Sequence, residues 1–294
     1  MRSLLLGFAL IFSTYVAPSA AQPIEVDVEL VLAVDVSASM DIEEAKFQRQ
    51  AYIAAIRHPE FIRAIAHLRR QRIAVTYVEW SSSNQQRVLI PFREIDGQTS
   101  AEAFAAALEA APVKRGAGTS ISGAIEFGAN LLMWNRFEGD RKVLDISGDS
   151  PNLSGGPVAL ARDNAVARGV IINGLPIVIR PTEREVTVEE YYTACVIGGP
   201  GSFMLPARGM QEFAEAVRQK LIREVAGLPQ ATIVPVSAAP AVDCLMGEKS
   251  IARLKGIMFP RFWQRETGRD YLDPWYRLRK ERRRMPTRDP DQWY

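Results

Sequence analysis

Residues 30–40 read LVLAVDVSASM, five apolar residues in succession and then Asp35, Ser37 and Ser39 at alternate positions. An apolar run without polar alternation suits a strand covered on both faces, as strands are in parallel sheets flanked by helices. The carboxylate and two hydroxyls mark where that strand leaves the core. Alternate spacing puts the three side chains on one side if the backbone stays extended. Ser39 or Asp41 also suits the N-cap of a helix opening in "SMDIEEA".

Downstream, apolar runs alternate with helical patterns, which predicts an α/β fold: a doubly wound, mostly parallel six-stranded sheet with helices on both faces. Strands are expected at Val28–Val34, Ile73–Trp80, Arg87–Phe92, Val143–Ser147, Val170–Ile179 and Phe203–Leu205. The short "SSSNQQ" link makes the second and third a hairpin, antiparallel to each other. Helices are expected at Asp41–Arg57, Ala101–Ala111, Ile121–Trp134, Pro157–Arg168, Glu189–Val196 and Gly209–Val225, with "FEGDRK" as a polar turn before the fourth strand.

Tracing this order up and down the sheet brings Asp35, Thr119 (after the glycine loop "RGAGTS") and Asp149 to the carboxyl edge of the parallel strands. That edge is where open α/β sheets bind ligands. Asp35, Ser37, Ser39, Thr119 and Asp149 offer only oxygen, a set suited to a hard divalent cation: Mg2+, with Mn2+ or Ca2+ as substitutes.

D-x-S-x-S at 35–39, the threonine at 119 and the aspartate at 149 resemble the metal-ion-dependent adhesion site of the von Willebrand factor A (VWA) family. The similarity covers roughly residues 24–226. It implies a Rossmann-like sheet of order 3-2-1-4-5-6, with Ser37 and Ser39 touching the metal, Thr119 binding it directly or through water, and Asp35 and Asp149 holding its waters. It also implies that a ligand carboxylate, an Asp or Glu of a partner protein, fills the last position. "SGDSPN" and "VIGGPG" are similar to a secreted proteobacterial branch of that family with no known ligand.

Other signals frame this reading. Arg2, the apolar Leu4–Val16 and the small residues Ser19-Ala20-Ala21 predict a signal peptide, residues 1–21, cleaved near Ala21 for export to the periplasm or beyond. In an oxidising compartment the only two cysteines, Cys195 and Cys244, are expected to pair, on the face away from the metal edge. With His58 and His67 the only histidines, a four-ligand zinc site is not expected, and both read as helix-end or surface residues. "KRGAGTS" lacks the order of a phosphate-binding loop.

Residues 227–250 read as a Pro/Ala-rich linker or strap, and 251–294 as a basic, aromatic C-terminal extension. That extension carries 12 Lys/Arg against 6 Asp/Glu, where the rest of the chain carries 24 against 28. Its charge and three tryptophans suit an anionic lipid surface or acidic polymer, and export argues against nucleic acid.

The functional expectation is a non-enzymatic, metal-dependent binding module. Two alternatives stand beside it. One is a serine or metal-assisted hydrolase using Ser150 or a metal-bound water, since Gly148-Asp149-Ser150 resembles the opening of one lipase family. The other is an envelope structural protein acting through its basic tail.

Overall fold

The computed structural model describes residues 22–39, 41–178, 186–227 and 242–258. The signal-peptide segment, most of the 180–187 loop, residues 228–241 of the strap and the tail beyond 258 lie outside the described residues.

Six strands, β1 (Ile24–Asp35), β2 (Ile73–Trp80), β3 (Gln86–Ile95), β4 (Phe137–Gly148), β5 (Val170–Val178) and β6 (Ala207–Arg208), form one sheet of order β3-β2-β1-β4-β5-β6. Only β3 runs antiparallel. This is the doubly wound α/β fold and strand order that the resemblance implied.

The helices divide between the two faces. Val28, Leu30, Leu32 and Val34 of β1 pack with α1 (Ile42–Arg57), α2 (Pro59–Ala66), α3 (Gln98–Ala110) and α7 (Gly209–Ala226). Val31 and Ala33 pack on the other face with α4 (Ile121–Met133), α5 (Val158–Val166), α6 (Val188–Tyr191) and the π-helical turn Tyr192–Val196 that continues it. Covering on both sides removes the polar alternation from β1. A last helix, α8 (Met246–Met258), follows the strap.

Helix ends follow local chemistry. Asp41 accepts from the N–H groups of Glu43 and Glu44, while Glu44 accepts from that of Asp41, so Asp41 and not Ser39 caps α1. His58 caps the junction of α1 and α2, its Nδ1 accepting from Glu60 N at 3.2 Å, and His67 closes α2.

Two strand expectations need correction, and two helices lie where none was drawn. "FEGDRK" is not a turn but the first half of β4, because Phe137 and Glu138 pair with Ile24 and Glu25, which lengthen β1 beyond its apolar run. The sixth strand is Ala207–Arg208, with Met204 making only an isolated bridge to Gly174. Helix α8 spans the position 250/251 at which the extension was expected to begin. The sequence also concealed α2, whose proline at the first helical position and Phe61 and Ile65 in the core account for it.

Candidate metal centre

At the carboxyl edge, β1 ends at Asp35 and the chain turns immediately. Ser37 N donates to Asp35 Oδ1 at 2.7 Å, and the Ser37 and Ser39 hydroxyls lie 2.9 Å apart. Asp35 and Ser37 are buried and Ser39 is exposed. The three converge through this turn rather than along an extended strand end, a correction whose cause is the Asp35 side chain bonding the backbone two residues on.

Thr119 arrives on a loop tied to the same edge by main-chain bonds. Gly116 N donates to Val36 O at 2.8 Å and Ser120 N to Ser81 O at 2.7 Å. Buried Arg49 on α1 anchors the start of the loop: it donates to Ala111 O at 2.6 Å and pairs with Glu79 of β2. Gly116 is obligatory here, since a Cβ on it would stand 2.1 Å from Ser81 Oγ. Thr119 is buried, and its carbonyl accepts from Leu153 N at 3.0 Å, Ser154 N at 3.1 Å and Ser154 Oγ at 3.2 Å. The loop holding Thr119 and the loop that follows Asp149 are thereby laced together.

Asp149 is half-buried, just past the end of β4 and beside β1. Burial, reinforced by the negative charge of Asp149, pushes the Asp35 carboxyl up to about 8, and the hydrogen bonds from Ser37 offset part of that rise. Asp35 Oδ2 and Asp149 Oδ1 are buried without a hydrogen-bond partner among the described residues. Two neighbouring acidic side chains, each with an unpartnered oxygen among the described residues, fit a cation better than they fit each other. Among the described residues no group of three or more His, Cys, Asp or Glu gathers for a metal, so the remaining donors here are hydroxyls, the hard-cation chemistry.

A disulfide joins Cys195 to Cys244. It does not lie away from the candidate metal edge. The Tyr191 hydroxyl donates to Cys244 O at 3.2 Å and accepts from Asn152 N at 3.2 Å, three residues past Asp149. The turn Tyr192–Val196 leads down β5 to Gly198, which bonds Ile172, while Cys244 meets it from the side of Asn152.

Asn152 was not singled out in the sequence, yet it is the knot of this region. Its Oδ1 accepts from Ser122 N at 3.0 Å, and its Nδ2 donates to Gly156 O at 3.2 Å and Glu248 Oε1 at 2.7 Å. The "SGDSPN" run carried the signal without its meaning. Ser150 Oγ is buried without a partner among the described residues, but His58 and His67 cap α2 at the opposite edge, leaving Ser150 no histidine base.

A family model described as "Protein of unknown function (DUF1194)" matches residues 25–229. The chain belongs to this family. No curated protein matches the sequence. Among solved structures, this DUF1194 chain is similar to proximal thread matrix protein 1 of the mussel byssus, in a structure with a zinc-occupied MIDAS motif. The two are 14% identical at a TM-score of 0.50, over 70% of this chain and 50% of that one. A von Willebrand factor type A protein from Catenulispora acidiphila is 14% identical over 68% and 42%, at 0.49. BatB of Bacteroides thetaiotaomicron is 19% identical over 68% and 100%, at 0.45. The chain spans about half the length of the mussel protein, and likeness at this identity is likeness of fold. No helix among the described residues is long and apolar enough to cross a membrane.

Proposed function

We propose that this DUF1194 protein is an exported, non-enzymatic binding module that holds a divalent cation, Mg2+ in its native setting, and through it captures an acidic side chain of a partner protein. The observation that carries the reading is the pair of buried, unpartnered oxygens, Asp35 Oδ2 and Asp149 Oδ1, at the edge where Ser37, Ser39 and the Thr119 loop also meet. Asp35 and Asp149 supply the charge, and the three hydroxyls supply neutral oxygens. With Asp35 and Asp149 holding waters rather than the ion itself, the directly bound donors are neutral hydroxyls and waters, so the cation stays electron-poor and favours a ligand carboxylate in the open position. The zinc in the MIDAS motif of the mussel protein, which shares the fold, supports a divalent ion here.

Calorimetric titration of Mg2+ and Mn2+ into the intact oxidised chain tests the reading. Wild type binds, and Asp35→Ala abolishes binding while its circular dichroism stays that of the folded protein. Wild type without metal binding removes the proposal. Partner capture follows the same logic: retention of an Asp/Glu-bearing peptide requires Mg2+ and is lost in EDTA.

A further inference from the structure

Tyr192 opens the π-helical turn, and its hydroxyl is buried without a hydrogen-bond partner among the described residues. A Cβ built on Gly148 would lie 2.7 Å from that hydroxyl, 3.1 Å from Asp35 Oδ2 and 3.2 Å from Trp80 Cζ2. The phenol and the unpartnered oxygen of Asp35 therefore converge on one point over Gly148, walled by the Trp80 indole. They meet only because residue 148 has no side chain.

The turn is fixed on its other sides: Tyr191 bonds Asn152 and Cys244, and Cys195 is bridged to Cys244. A phenol carries its proton at neutral pH, so the group can act as a neutral donor.

Resting on the reading of this edge as a cation site, we propose that Tyr192 is a positioning residue outside the five-residue motif: its hydroxyl donates to the Asp35 carboxylate, directly or through one water. Asp35 Oδ1 is already held by Ser37 N, and Oδ2 has more than one lone pair, so one can face the cation while another accepts from the phenol, which fixes how that oxygen is presented. A lysine or arginine would hold it but cancel the charge that attracts the cation; a phenol orients it and leaves the charge intact. Metal binding then converts two orphaned polar groups into one satisfied pair.

The test compares wild type, Tyr192→Phe and Tyr191→Phe, each intact and oxidised, by Mn2+ calorimetry and by thermal melts in EDTA. Tyr192→Phe should bind Mn2+ about tenfold more weakly, the lower end of the range for groups that orient metal ligands. Its metal-free melting temperature should hold or rise, because an unpartnered buried hydroxyl is removed. Tyr191→Phe, which loses the bonds to Asn152 and Cys244 that fix the turn, should melt lower in EDTA, the signature of a structural loss. If wild type binds and Tyr192→Phe binds equally, the role of Tyr192 is refuted and the cation site stands. If Tyr192→Phe binds more weakly and also melts lower without metal, its role is structural and the proposal falls. If wild type binds no metal, both readings fall together.

Discussion

Helix α7 turns Phe213, Val217 and Leu221 into the core, and the same stripe carries Lys220 and Glu224. Both are only 1% exposed, as is Asp145 of β4, and Lys220 pairs with both carboxylates. Asn173 Nδ2 donates to Glu224 Oε1 at 3.2 Å, and Arg141, which donates to the Glu224 and Val225 carbonyls, adds a further positive charge nearby. One ammonium thus serves two buried carboxylates. Burial, with the charge of Asp145, raises the Glu224 carboxyl from an ordinary 4.5 to about 7, against the opposing pull of Lys220 and Asn173, and Asp145 is raised as well.

The folded state therefore keeps a proton on Glu224 between pH 4.5 and 7 that the unfolded chain has released. Its contribution is fully present below pH 4.5 and lost as pH rises to about 7. At about 1.4 kcal/mol per pH unit the loss amounts to roughly 3 kcal/mol. Asp35 is raised too and adds its own slope, so the measurement is a difference: urea unfolding of wild type and Glu224→Gln from pH 4.5 to 8. Glu224→Gln should be flatter by roughly 3 kcal/mol across that window and as stable as wild type or more so at pH 8. Lys220→Met should lose about 3–5 kcal/mol at pH 8, because it strands two buried carboxylates. Parallel pH profiles for wild type and Glu224→Gln would refute the reasoning.

Two other perturbations reach the site through its frame. Gly116→Ala forces Ser81 aside and should cost about 1–3 kcal/mol in urea, with weaker Mn2+ binding because the Thr119 loop moves with it. Replacing both Cys195 and Cys244 with serine should cost about 4 kcal/mol by loop entropy, measured by guanidinium unfolding. Reducing the wild type with dithiothreitol should reproduce that loss.

The sequence disclosed most where burial is two-sided or punctuation is strong. The run at 30–34 specified β1, and Ile73–Trp80 and Ile121 marked element ends that the structure keeps. Elements at the sheet's margins were opaque. Glu138, Asp140, Arg141 and Lys142 lie where β4 extends past the core, so their polarity is that of a solvated edge, which resembles a turn. β6 is two residues long, too short to carry a period.

For the candidate site, Asp35, Ser37, Ser39, Thr119 and Asp149 stood out in the sequence because polar side chains follow apolar strands or a glycine loop there. Asn152 and Tyr192 did not, since their importance lies in partners 30 or more residues distant. Lys220 and Glu224 left a readable trace, two charges on an otherwise apolar helical stripe, but their counter-charge Asp145 is evident only in three dimensions.

The carbonyl of Thr119, accepting from two backbone amides and one hydroxyl, has a consequence for how such a protein can diversify. The loops bearing the candidate ligands are registered to each other largely by main-chain atoms, which nearly every amino acid supplies alike. Exposed positions in the hairpin, such as Ser83 and Asn84, carry none of those bonds. Under the proposed function, exchange of such surface residues would rewrite the choice of partner while leaving the candidate cation donors in place.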